Sequence, residues 1–419
     1  MGLGKSIQLL ALLVRERSGL SSRRAKRWPG PTLLICPMSI VGNWEREAAR
    51  FSPHLDVLVH HGRERLTGEE LAWAAQRADL VLTTYQTAAR DHEDLADIGW
   101  QRVVLDEAQH IKNPAAKQSR AIRSIPAPRR LALTGTPVEN RLSELWSIMD
   151  FCNPGLLGTQ AAFREAFTVP IERLQDDEAA ARLRRITRPF VLRRKKTDPT
   201  IAPDLPDKVE IDEHCRLTRE QGSLYGAVVE DMLQRIEETD GIERRGLVLQ
   251  TMLKLKQVCN HPAHLLGDGS TLPGRSGKLA RLDELIDEVL AADERALVFT
   301  QFAQWGRRLQ THLRDRLGRE VLFLHGGVSR AERDRMVTAF QDAGGPSLFV
   351  LSLKAGGTGL NLTAANHVVH YDRWWNPAVE DQATDRAFRI GQRRDVLVRR
   401  LTCAGTLVER IATLLEQKK

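Results

Sequence analysis

The sequence predicts an α/β protein built from two parallel sheets, and three observations predict it. Short apolar runs end in acids, hydroxyls or glycines and alternate with helical stretches, the pattern of strands buried in a parallel sheet with ligand chemistry at their carboxyl ends. A chain of 419 residues exceeds what one core usually serves, so two large units with insertions are expected. A hydrophobic share of 42% is ample for both. The net charge of +8 with 28% charged residues describes a surface of mixed sign with a basic excess, which favours a polyanionic partner without specifying one.

The chain opens on Met1-Gly2-Leu3-Gly4-Lys5-Ser6, the second half of a phosphate-binding loop of the pattern G-x-x-x-x-G-K-[ST]. Glycines there let backbone N–H groups approach phosphate, lysine meets the β/γ oxygens and the hydroxyl ligates Mg²⁺. The first half, and the strand that delivers it, would lie upstream of Met1, so the start is expected to be a truncation within the loop. Ile7 to Val14 is apolar behind Lys5, as in a secretion signal, but Arg15-Glu16-Arg17 stands where a small-residue cleavage site would be, and a buried helix is predicted. No stretch approaches the ~20 apolar residues of a membrane span, and no membrane partner is expected.

Residues 18–31 carry Arg23, Arg24, Lys26 and Arg27 and read as a solvated loop rather than a phosphate patch. Thr32 to Cys36 is predicted as a buried strand that stops at Pro37-Met38-Ser39, with a helix starting at Val41-Gly42-Asn43-Trp44. Asp79 to Tyr85 is the next strand, and its terminal hydroxyls, Thr84 among them, suit phosphodiester contacts.

Val103-Val104-Leu105 then runs into Asp106-Glu107-Ala108-Gln109-His110, where one acid can hold Mg²⁺ while its neighbour orients a water. The bland alternative at this point is an acidic helix start favoured by the helix dipole. Arg130 to Leu133 is a further strand, ending at Thr134-Gly135-Thr136-Pro137.

Residues 151–207 change character, being rich in Arg, Glu and Ala and closing on Ile201-Ala202-Pro203-Asp204-Leu205-Pro206; a helical insertion and linker are predicted. The basic run Arg193-Arg194-Lys195-Lys196 is open to two readings, a grip on a polyanion backbone or a polar helix face. Apolar residues on a helical period from Leu224 to Ile236, continued by Leu249, Met252, Leu253 and Leu255, predict a second helical protrusion over 208–274, with a glycine-rich loop from Gly267 to Gly277.

Five scattered cysteines without a C-x-x-C pair suit a reduced, cytoplasmic setting. Cys259-Asn260-His261-Pro262-Ala263-His264 has no second cluster to complete a metal site.

Strands are predicted at 296–302, 321–327 and 347–352. The last runs into Lys354-Ala355-Gly356-Gly357-Thr358-Gly359, a loop whose glycines let backbone come close to phosphate. Trp374-Trp375 suit either base stacking or packing of the unit, and packing is favoured. Arg386 and Arg389 stand three apart, so on a helix they share a face and converge on one anion. The planar guanidinium fork stabilises a transferring phosphoryl group, an effect of ~10³–10⁵ in rate.

Gly2 to Ser6, Leu34-Ile35-Cys36-Pro37, Asp106 to His110, Leu133 to Pro137 and Glu380-Asp381-Gln382-Ala383-Thr384-Asp385-Arg386-Ala387-Phe388-Arg389-Ile390-Gly391-Gln392 occur in the order found in the Swi/Snf-type ATPases, a branch of the superfamily-two helicases that translocate on double-stranded DNA. The chain resembles that family from Met1 to about Ile411, departing where Phe388 replaces a common His. The resemblance implies two RecA-like lobes with helical protrusions: lobe one at 1–150, a protrusion and linker at 151–207, the protrusion of lobe two at 208–274, and lobe two at 275–419. It implies ATP and Mg²⁺ as cofactors, with Gly2, Gly4, Lys5, Ser6 and Gln392 at the nucleotide, Ser6 and Asp106 at the metal, Glu107 activating water, and Arg386 and Arg389 acting as fingers on lobe closure.

Ser39, Thr84, Gln109, Thr134, Thr136, Lys354, Thr358, Trp374 and Trp375 are then expected to contact DNA or couple to it. The implied partner is double-stranded DNA, held by its backbone largely irrespective of sequence, together with protein targets on it. Predominance of Arg over Lys suggests a GC-rich bacterial genome and a nucleoid-associated setting. Three other readings stand beside this one: a strand-separating DNA or RNA helicase, an RNA-directed motor, and a catalytically silent DNA-binding fragment, since the phosphate loop is incomplete.

Overall fold

The computed structural model describes residues 3–18, 30–135, 141–194, 196, 205–236, 241–353, 360–407 and 409. The chain divides into two compact units, Met1–Pro203 and Asp204–Lys419.

In the first unit β1 (Thr32–Cys36), β2 (Val57–His60), β3 (Leu80–Thr84), β4 (Arg102–Asp106) and β5 (Arg130–Leu133) form one sheet in the order β2-β3-β1-β4-β5. Every pairing is parallel. The carboxyl ends Cys36, His60, Thr84, Asp106 and Leu133 therefore share one edge. Both faces are covered, which is why β1, β3 and β4 read as unbroken apolar runs rather than alternating ones. Leu33, Ile35, Val81, Val103 and Leu105 point to one core with Leu71, Ile122 and Phe151. Leu34, Cys36, Leu82 and Val104 point to the other, with Leu9, Leu10 and Leu13 of the helix Lys5–Ser18 and Trp44 of the helix Val41–Phe51.

The insertion has a small core of its own. Trp146 and Met149 of the helix Leu142–Cys152 meet Phe163, Phe167 and Leu183.

In the second unit β6 (Lys208–Cys215), β7 (Ala296–Thr300), β8 (Val321–Leu324), β9 (Leu348–Ser352), β10 (His367–His370) and β11 (Val396–Cys403) form a second parallel sheet, ordered β6-β11-β10-β7-β9-β8. Its two faces are again separate cores, one around Trp305, Leu309 and Ile286, the other around Phe340, Leu362 and Ala383. The predicted helical stretch is a pair of helices, Arg219–Ile236 and Gly241–Asn260. Among the described residues no helix is long and apolar enough to cross a membrane.

Three expectations change. Residues 208–215, assigned to a helical protrusion, are the edge strand β6 of the second sheet, so that sheet begins before the helices and not at 275. Its sequence is too polar to announce a strand: Glu210 and Asp212 pair with Arg400 of β11, and charge pairs take the place of apolar contacts. Arg193 and Arg194 lie in an exposed, non-helical stretch, so the helix-face reading of that cluster fails for these two. Finally, the helix Pro377–Thr384 stops before Arg386, and both arginines sit on turns rather than on one helical face.

Partial burial would raise the Glu210 pKa, but hydrogen bonds and charges from Lys208 and Arg400 outweigh it and hold the carboxyl at about 2. A carboxyl depressed below its ordinary 4.5 stabilises the fold fully above that value and loses the contribution as pH falls through about 2. Denaturant titrations of wild type and Glu210→Gln between about pH 3 and pH 6 are predicted to diverge at the upper end and converge as acid is added. Parallel pH profiles would contradict the pairing.

Candidate functional site

The site is built on the end of β4. Buried Val103, Val104 and Leu105 carry the strand to Asp106, and the backbone then turns left-handed at Glu107, with φ 52° and ψ 56°, into the short turn Ala108–Ile111. Such a conformation is uncommon for a residue with a Cβ and costs ~1–3 kcal/mol. It is held from below by Tyr85, whose hydroxyl donates to the carbonyl oxygens of Asp106 at 2.8 Å and Glu107 at 3.3 Å. Tyr85 also stacks on His110, with ring centroids 4.8 Å apart.

Both acids are buried. Asp106 accepts from the Glu107 amide and from Trp44 Nε1, each at 2.9 Å. Burial pushes its pKa upward; Lys5 opposes this, Glu107 adds to it, and the Trp44 and Glu107 donors pull it back. Glu107 Oε1 lies 3.9 Å from Lys5 Nζ, while its Oε2 accepts from Gln109 Nε2 at 2.9 Å. Gln109 Oε1 in turn accepts from Thr134 Oγ1 at 2.9 Å, just beyond β5. Lys5, Glu107, Gln109 and Thr134 thus form a continuous chain across the carboxyl edge.

Lys5 and Ser6 begin the first helix, preceded by Gly4 at φ +72°, a left-handed position that suits glycine. Lys5 Nζ is buried and, among the described residues, has no hydrogen-bond partner. Its one ion-pair contact among them, Glu107 at 3.9 Å, is beyond hydrogen-bond reach, so the ammonium hydrogens are left for acceptors that phosphate oxygens would supply. Ser6, Asp106 and Glu107 add hard oxygen donors of the kind Mg²⁺ takes. The residues present therefore fit a magnesium nucleotide.

The profile of the SNF2-related domain matches residues 1–264, and that of the helicase conserved C-terminal domain matches 277–391. The chain belongs to the SNF2-related family. It is 47% identical, over its whole length, to the Bacillus subtilis (strain 168) putative ATP-dependent helicase/translocase YwqA, of which it spans 45%. It is 35% identical, over 95% of its length, to the Zorya protein ZorD of Escherichia coli O139:H28, of which it spans 39%. The chain thus spans less than half the length of these curated relatives. The Sulfolobus solfataricus SWI2/SNF2 ATPase core in complex with dsDNA is similar at 42% identity, covering 100% of this chain and 85% of that one, with a TM-score of 0.48, too low to bear on the fold.

Other SNF2-type positions fall into distinct settings. Ser39 sits half-buried in the turn after β1. The Thr84 hydroxyl is buried, accepts from the Thr87 amide and donates to Thr87 Oγ1, and so caps the helix Tyr85–Arg90. Gly2, Thr136, Lys354 and Thr358 lie outside the described residues.

In the second unit Arg386 is buried and Arg389 donates to the Leu360 carbonyl at 3.1 Å. Gln392, expected at the nucleotide, is buried among main-chain groups. Its amide nitrogen donates to the carbonyls of Thr363, Ala365 and Ala387 and its oxygen accepts from the Arg393 and Arg394 amides, so its polar atoms are engaged in holding the arginine-bearing turn. Trp374 packs on the second unit's core. Trp375 lies under Lys256, whose Nζ is 3.4 Å from the ring centroid and donates to the Arg373 carbonyl at 2.7 Å. Burial lowers the Lys256 pKa to about 8, with Asp372 resisting. His261, floated as a metal ligand, accepts from the Ala263 amide on Nδ1 and meets the Leu272 carbonyl with Nε2.

Trp44, Tyr85 and Lys256 were not anticipated; the only sequence signal was a large or charged side chain near a strand end. Tyr85→Phe is predicted to lower stability by ~1–2 kcal/mol in denaturant titrations, because the Asp106 carbonyl loses its hydroxyl donor and the Glu107 turn keeps only the His110 amide on its carbonyl. Unchanged stability would show that the turn holds itself.

Proposed function

We propose that the protein is an ATP-dependent motor that translocates on double-stranded DNA and remodels protein–DNA complexes, with hydrolysis coupled to lobe closure. The observation that carries this reading is the buried pair Asp106-Glu107, set at the carboxyl edge with Lys5 on one side and Gln109 on the other. Lys5 would meet the β/γ-phosphates, and Ser6 with Asp106 would hold Mg²⁺. When bound, the ion supplies charge neutralisation at the phosphates. Glu107 would orient and deprotonate a water: one of its oxygens accepts from Gln109, and the other lies 3.9 Å from the Lys5 ammonium.

Membership of the SNF2-related family supports the ATPase reading. The basic excess of +8 suits a duplex backbone. Arg386 and Arg389 are proposed to stabilise the transferring phosphoryl group on closure. Gln109 and Thr134, bonded to each other and to Glu107, are proposed to report DNA engagement to the water-activating carboxylate.

Glu107→Gln keeps the shape and the Gln109 contact but removes the base. ATP turnover in the presence of duplex DNA is predicted to fall by at least ~10²-fold while nucleotide affinity stays within about twofold. Turnover equal to wild type would sink the assignment.

A further inference from the structure

Resting on that reading, we infer that Trp44 is a positioning residue for the magnesium site: its indole N–H fixes the Asp106 carboxylate in the orientation from which it holds the ion. Trp44 is 1% exposed and lies on the helix Val41–Phe51, far from the acid pair in sequence, yet its Nε1 sits 2.9 Å from Asp106 Oδ2. The other carboxylate oxygen, Oδ1, accepts from the Glu107 amide at 2.9 Å. A carboxylate offers about four lone-pair sites. With one site on each oxygen occupied by a rigid donor, the group cannot rotate, and one lone pair on each oxygen is left in a fixed direction.

The choice of tryptophan matters chemically. An indole N–H donates and never accepts, so it selects the carboxylate form of Oδ2, whereas a hydroxyl or amide in its place would tolerate a protonated acid. It is also held by packing: the ring is buried in the same core as Leu9, Leu34, Leu82 and Val104. The donor therefore moves only if the core moves. Partners of this kind, one step out from the ion, typically set 10–100-fold of metal affinity. A buried indole that merely found an acceptor would carry no such dependence.

The test is binding of a fluorescent, non-hydrolysable ATP analogue by the protein at increasing Mg²⁺, in wild type and Trp44→Phe. The half-saturating Mg²⁺ concentration is expected to rise about tenfold or more in the variant, with metal-free nucleotide affinity unchanged. In an Asp106→Asn background the same substitution should have no further effect on it. An unchanged Mg²⁺ dependence in a folded Trp44→Phe protein overturns this assignment alone; wild type whose nucleotide binding ignores Mg²⁺ overturns the site reading as well. If Trp44→Phe does not fold, the indole ¹⁵N–¹H resonance displaced in Asp106→Asn serves instead. It should move when Mg²⁺ joins bound nucleotide and stay fixed with nucleotide alone, and a resonance insensitive to Mg²⁺ overturns the assignment.

Discussion

Two carboxylates buried side by side at the end of a central strand repel each other and lose their hydration, so everything near them must offset that cost. The molecule does so with donors that have little freedom. The Glu107 amide and the Trp44 indole hold Asp106, and the Tyr85 hydroxyl holds the backbone between the acids. Lys5 and Gln109 face Glu107. Apart from the Glu107 amide and Gln109, which share the turn after β4, they come from different elements, and all reach the same place because every strand of the sheet runs the same way. The left-handed turn at Glu107 is the local strain that this convergence sustains.

The same physics recurs in the second unit with different groups. Asp372, buried just after β10, accepts from Thr300 and Asn260 and from the Gln301 amide, and burial raises its pKa against those donors. Asn260 and Lys256 belong to the end of the helix Gly241–Asn260, so this helix is fastened to the sheet through polar contacts at Asp372 and Arg373. Arg373 and Arg400 share Glu380 between them, and Gln392 laces the turn that carries Arg386 and Arg389. These contacts tie the helix and the arginine-bearing turn to the sheet through specific partners.

How much of this was legible depends on what each strand buries. β1, β3, β4 and β9 are covered on both faces and announce themselves as apolar runs; Asp106-Glu107 stands out because charge follows such a run abruptly. β6 does not. Its pairing with β11 is backed by Glu210 and Asp212 against Arg400, and a strand with so many charged residues has the composition of a loop or a helix surface. The turn at Arg386 and Arg389 was hidden because a spacing of three fits a helix as well as successive turns. Trp44 was invisible as a site residue, since nothing in a helix on the far side of β1 reveals that its indole meets an acid 62 residues later. Order of motifs carried the family, but the donors that position the acids are set by packing, which periodicity does not encode.

Thr134, Gln109, Glu107 and Lys5 are linked one to the next at the sheet's edge, and in the proposed function they work together. This joint action is tested most directly by Thr134→Val, which keeps side-chain shape and removes only the hydroxyl that donates to Gln109. The ratio of ATP turnover with and without duplex DNA is expected to fall by about tenfold with nucleotide affinity intact. A variant that retains the wild-type ratio would contradict it.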